Sequence, residues 1–177
     1  VPHQMVAMES FLAQVSRSRL LAHLRALEGE RHPFLSPDRL ASAQRYLVTQ
    51  FTDGGLSVRL DEFSYMGQDF VNVVANPPRR SHQPPLIIAA HFDTVPGTPG
   101  ADDNASGLAV LLEAARIIVS HLPDAPVEFV GFNLEELGMV GSHHYATRLK
   151  RQRVKLRGML SLEMVGFTES QGLQHYP

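Results

Sequence analysis

The chain has 177 residues, 44% of them hydrophobic, a formal net charge of -2 and no cysteine. That is one ordinary domain's worth of chain with enough apolar content for a core, and it excludes disulfides, zinc ribbons and thiol catalysis. The near-neutral balance argues against a nucleic-acid surface, and no apolar run approaches the ~20 residues of a membrane-spanning helix.

The first residues, V-P-H-Q-M-V-A-M-E-S, lack the basic start and long apolar stretch of a signal peptide, and composition leaves the compartment open. From residue 9 to residue 28, Phe11, Val15, Leu20, Leu21, Leu24 and Leu27 recur at helical spacing, which predicts a single helix stopped by Gly29. Ser36 before Pro37 predicts the start of a second helix, with Leu40, Ala43, Leu47 and Phe51 facing inward and Asp53-Gly54-Gly55 ending it. Leu56 to Phe63 alternates in the manner of a strand and Asp69 to Ala75 reads as its hairpin partner. Asn76 to Pro85 is a proline-rich loop. Leu86 to Ala90 is apolar without alternation, which suits a strand buried on both faces.

Residues 104 to 120 read as a helix with Leu108, Leu111, Leu112, Ala115, Ile118 and Val119 inward. Pro126 to Phe132 is a second buried strand, Gly138 to Leu149 a helix, and Lys155 to Met164 a last strand. Strands alternating with helices predict an α/β fold: a three-layer α/β/α sandwich around a mixed, mostly parallel sheet. One domain is expected over residues 1–177, with helices across 9–53 and a sheet-and-helix core across 56–164.

In such sheets, sites form at the carboxyl ends of the strands. His91 and Asp93 end one buried strand, Asp102 and Asp103 follow a short Gly/Pro loop, Glu135 and Glu136 follow the next strand, and Glu163 closes the last. Gathered in a small volume, that many carboxylates would repel one another until several took up protons, unless a cation were present. Mixed nitrogen and oxygen ligands favour zinc, with manganese or cobalt as alternatives. Two ions sharing a carboxylate, ~3.5–4 Å apart, would activate water for hydrolysis. Of the adjacent Glu135 and Glu136, one can bind metal while the other moves the proton.

The segments H-F-D, G-A-D-D-N-A-S-G, N-L-E-E-L-G-M-V-G-S and S-L-E-M-V-G resemble, in order, the motifs of the di-zinc exopeptidases, the family of bacterial leucyl aminopeptidases and glutamate carboxypeptidases. The resemblance covers roughly residues 20 to 170. It implies that His91 and Glu163 bind one zinc, that Asp103 bridges, that Glu136 binds the other zinc, that Glu135 is the general base and that Asp93 orients His91. It also implies a cis peptide after Asp103. Family members more often carry Asp where this chain has Glu163.

The family's remaining ligand is a downstream His, for which this chain offers only His175. The family sheet has eight strands in the order 1-2-4-3-5-8-6-7, and this chain accounts for the first five. The expectation is therefore the N-terminal part of a peptidase domain, binding one metal weakly or none, with an open apolar sheet edge through which it could self-associate. The substrate would be a peptide or aminoacyl compound. Two alternatives share the fold: a glutaminyl-cyclase-like aminoacyltransferase and a receptor-like binding domain without catalysis.

Plainer roles suit the other polar residues. Adjacent helical side chains diverge by about 100°, so His143 and His144 cannot serve one ion and are expected on a helix surface. The basic run from Arg148 to Arg157 reads as a helix end and solvated loop, and Asp124 and Glu128 as surface residues.

Overall fold

The computed structural model describes residues 9 to 79 and 81 to 167. Its regular elements are α1 (Arg17–Leu27), α2 (Pro37–Asp53), β1 (Ser57–Tyr65), β2 (Gln68–Asn76), β3 (Leu86–His91), a π-helical turn (Ala101–Ser106), α3 (Gly107–His121), β4 (Val127–Phe132), α4 (Val140–Arg151) and β5 (Gly158–Ser161). The sheet order is β1-β2-β4-β3-β5. β2 pairs antiparallel with β1 and β4, while β3 pairs parallel with β4 and β5. The hairpin closes through Met66 and Gly67, both at positive φ (50° and 77°), the backbone that a tight two-residue turn demands.

Alternation along the strands stacks the layers. Val73, Ala75, Ile88, Ala90 and Phe129 face a core shared with Leu47 and Phe51 of α2 and Leu108, Leu111 and Leu112 of α3. Their neighbours Val74, Ile87, Ala89, Val130 and Phe132 face the other side, covered by Tyr145 and Leu149 of α4. Three layers result, with β3 and β4 central and buried on both faces.

Three expectations change in detail. The single helix over residues 9 to 28 is broken: residues 9 to 12 are helical, and α1 starts afresh after Ser16. The Ser16 side chain caps Arg19 N while its own N–H donates to Glu113 Oε1 at 2.9 Å, which fixes a new helix direction. Val15 and Leu21 are consequently exposed, and α1 buries His23 and Leu27 instead. The last strand spans Gly158–Ser161 rather than residues 155 to 164. After Leu162 N donates to Ala89 O, the following backbone groups bond to the 102–106 loop and not to a strand. Finally, two residues expected at the surface belong to a polar cluster. Glu128 accepts from Asn76 Nδ2 and from the Tyr145 hydroxyl, and Arg148 Nε lies 2.7 Å from the buried Asp61. His143 is exposed as expected; His144 stacks on Phe63 at 5.3 Å.

Candidate metal centre

β3 and β4 end side by side, with His91 paired to Phe132 and Phe92 N donating to Phe132 O at 2.9 Å. The two loops that leave them are tied by one carboxylate. Asp93 is fully buried, and its two oxygens accept from Glu135 N and Glu136 N, each at 3.0 Å. The same residue faces His91 Nδ1, through its carbonyl at 3.2 Å and its carboxylate at 3.5 Å. In the tautomer with the proton on Nδ1, Nε2 is left as the ligand atom.

Around Nε2 stand Asp103 Oδ1 at 3.0 Å, Glu163 Oε2 at 3.4 Å and Glu135 Oε2 at 3.9 Å. Among the described residues, two groups could each hold a metal ion, with ligand atoms within 4.8 Å of one another: His91, Asp103 and Glu163, and His91, Glu135 and Glu136. Every residue named for the site from the sequence therefore meets here, except that Asp102 turns away. Its Oδ1 accepts from Gly166 N at 2.8 Å and from the Ser106 hydroxyl at 3.0 Å. His175 lies outside the described residues. Glu163 is not a buried strand carboxylate; it follows β5 on a loop with its side chain 45% exposed.

The loop from Ala101 to Gly107 does two jobs. It presents Asp103, whose bond to Asn104 is cis. It also anchors the chain that carries Glu163: Asn104 Nδ2 donates to Leu162 O at 2.8 Å, and Ser106 Oγ accepts from Val165 N at 3.1 Å. Gly107 is needed for this approach, because a β-carbon there would sit 2.3 Å from Asn104 Oδ1 and 2.6 Å from Leu162 O.

Two positioning residues were not singled out from sequence. Asn72, fully buried on β2, accepts from Asn133 N at 3.0 Å and donates to Gly141 O at 3.0 Å, so it holds both ends of the loop bearing Glu135 and Glu136. Arg31 is buried behind the other loop. An Asn in an alternating strand and an Arg before a proline-rich turn carry no periodic signal; only their burial distinguishes them.

The electrostatics are those of a site with surplus negative charge. Burial by itself would lower the His91 imidazole, but hydrogen bonds and charge from Asp93 and Glu163 outweigh it and push His91 up to about 11. Burial raises the Glu135 carboxyl, with Glu163, Asp93 and Asp103 adding to the rise and His91 opposing it. Burial followed by Asp103 raises Glu136. Glu136 Oε1 is buried and, among the described residues, has no hydrogen-bond partner. A buried orphan carboxylate oxygen beside a histidine and three more acids fits a cation.

Residues 72 to 176 match Peptidase family M28. The chain belongs to this family. Among M28-like relatives, aminopeptidase YwaD of Bacillus subtilis is 35% identical over 111 residues, covering 62% of this chain and 24% of that protein. The uncharacterized protein YfbL of Escherichia coli is 36% identical over 154 residues, covering 79% of this chain and 46% of that one. The chain thus spans less than half the length of both relatives. In fold it matches the Legionella pneumophila LapA aminopeptidase with a TM-score of 0.78 at 23% identity, over 91% of this chain and 45% of that one. It matches a Macrostomum lignano glutaminyl cyclase with a TM-score of 0.75, also at 23% identity, over 93% and 58%. The α/β exopeptidase fold is common to both structures, so the fold alone does not choose between their chemistries.

Proposed function

We propose that this chain carries the metal-binding half of a zinc-dependent exopeptidase of the aminopeptidase type. The observation that carries the reading is His91 Nε2 ringed by Asp103, Glu163 and Glu135, with Glu136 presenting an orphan buried oxygen beside them. The name of the YwaD relative favours an aminopeptidase over the other chemistry of this fold.

His91, Asp103 and Glu163 would hold one zinc, and Asp103 and Glu136 would contribute to a second. Zinc, when bound, supplies a Lewis acid that polarises the scissile carbonyl and acidifies water. Glu135 holds and moves the proton, taking it from water at its carboxylate and returning it to the leaving amine; its raised carboxyl suits that shuttle. Asp93 keeps His91 in the tautomer that offers Nε2 and fixes the backbone of both glutamates. Peptides with a free amino terminus are the proposed substrates.

Zinc content after equilibrium dialysis tests the reading. The expected result is about one zinc per chain, lost in Asp103→Ala, because the two candidate ligand groups share the single His91, which can serve one ion at a time. No bound zinc would overturn it, and two would overturn the single-ion assignment. Release of an amino acid from a peptide, rather than pyroglutamate from an N-terminal glutamine, distinguishes hydrolysis from cyclisation.

A further inference from the structure

We propose that Arg31 is a positioning residue for the metal-binding loop, fixing Phe92 and Gly100 from inside the core so that Asp93 and Asp103 face His91. The inference rests on the metal-site reading above and assigns a role to a residue outside it.

Arg31 is 1% exposed, the largest fully buried side chain among the described residues. Burying a guanidinium is costly unless its donors are satisfied. Here they go to main-chain carbonyls: Nε to Phe92 O at 2.8 Å, Nη2 to Gly100 O at 3.0 Å, and Nη1 to Gly29 O at 2.7 Å and to Leu27 O. Phe92 and Gly100 are the two ends of the loop between His91 and the turn that bears Asp103. The main chain of the same segment continues the clamp. Arg31 N donates to Thr94 Oγ1 at 2.9 Å, Gly29 N to Pro99 O at 2.6 Å, and Glu30 Oε2 accepts from Gly97 N at 2.7 Å. Three consecutive residues thus grip the loop at five points.

The loop has little else to shape it. From Asp93 to Gly100 it reads D-T-V-P-G-T-P-G, and its one large apolar side chain, Val95, is exposed. Gly100 lies at φ 55°, and a β-carbon there would sit 2.3 Å from Thr94 Cγ2 and 2.7 Å from Arg31 Nη2. The approach of Arg31 therefore depends on that glycine. A tether alone could be apolar. A planar fork is what reaches two carbonyls eight residues apart, and a lysine's single ammonium cannot reproduce it. Burial pulls the guanidinium down to about 10, so it stays charged at neutral pH, and the charges of Asp93 and Asp103 act on it in the opposite sense. Arg31 touches neither metal ligand set; it acts through the loop backbone.

The test compares Arg31→Lys and Arg31→Ala with the unaltered chain, the latter variant with and without millimolar guanidinium or methylammonium. Leu149→Ala serves as a control that weakens the core on the opposite face of the sheet. Two quantities are read: amide exchange at Glu135 and Glu136, whose acceptor is Asp93, and zinc affinity by chelator competition. The expected result is faster exchange at both amides and zinc affinity lowered ~10–100-fold in both Arg31 variants, the size seen for residues that orient ligands. Guanidinium, but not methylammonium, restores both in Arg31→Ala, while Leu149→Ala changes neither. Arg31→Lys with unaltered exchange and affinity, or Arg31→Ala without guanidinium rescue, would overturn the proposal. If the unaltered chain binds no zinc, the metal reading fails, and the exchange measurement still decides the role of Arg31.

Discussion

Replacing Asn72 with alanine isolates the energetic role of one buried amide. The side chain is fully buried and makes three bonds: to Asn133 N at 3.0 Å, to Gly141 O at 3.0 Å and to Asp61 Oδ2 at 3.1 Å. Asp61 keeps Arg148 Nε at 2.7 Å, so its loss is small. Gly141 O lies in the first turn of α4, where it also serves the helical bond four residues on, whereas Asn133 N has no other acceptor among the described residues; a buried unsatisfied group costs about 1–3 kcal/mol. The expected destabilisation is about 1–3 kcal/mol, a sizeable part of the ~5–15 kcal/mol that a domain has in total. Urea denaturation at an unchanged slope measures it, and exchange at Asn133 N reports it locally. Asn72→Asp sharpens the test. It keeps the shape and an acceptor for Asn133 N but removes the donor to Gly141 O and Asp61, so Asn133 N should stay protected while stability falls. An Asn72→Ala variant within ~0.5 kcal/mol of the unaltered chain would refute this, being the range of ordinary surface changes. So would an Asn72→Asp variant in which Asn133 N exchanges as fast as in Asn72→Ala.

Two further outcomes follow from the site. Asp93→Asn keeps one acceptor but turns an NH2 group toward a backbone N–H, so zinc affinity should fall ~10–100-fold and the Glu135 and Glu136 amides should exchange faster; unchanged affinity by chelator competition would contradict it. Without metal, the raised His91 contributes stability that is fully present below 6.5 and is lost as pH rises toward about 11. The raised Glu135 and Glu136 act in the same direction from the ordinary carboxylate range upward. Chelator-treated protein should therefore melt lower at about pH 9 than at about pH 6, and zinc should remove most of the difference; a flat melting profile would contradict it.

The basic run and the acidic residues show where local reading fails. Arg148 looked like a solvated helix end, yet it folds onto Asp61, because β1 happens to lie beneath that turn of α4. Asp102 and Asp103 are adjacent and alike, yet Asp103 faces His91 while Asp102 holds Gly166 and Ser106. No propensity separates them. The backbone of the 101–106 turn does, with Asp103 and Asn104 in non-helical conformations.

The sequence by itself determined what is local. His91 and Asp93 lie two residues apart at the end of one apolar strand, Glu135 and Glu136 follow another, and the hairpin and inward faces of α2 and α3 follow from periods of 2 and 3.6. Those features need only the chain's own stereochemistry and the exclusion of water from apolar side chains. The tertiary structure alone decided what is distant. β5 lies beside β3 and delivers Glu163 to His91 across 72 positions, and Asn72 reaches Asn133 across 61. Arg31 is buried only because the carbonyls of Phe92 and Gly100 converge on it. A polar side chain enters a core only where partners satisfy it, and those partners exist only once the fold has brought them together.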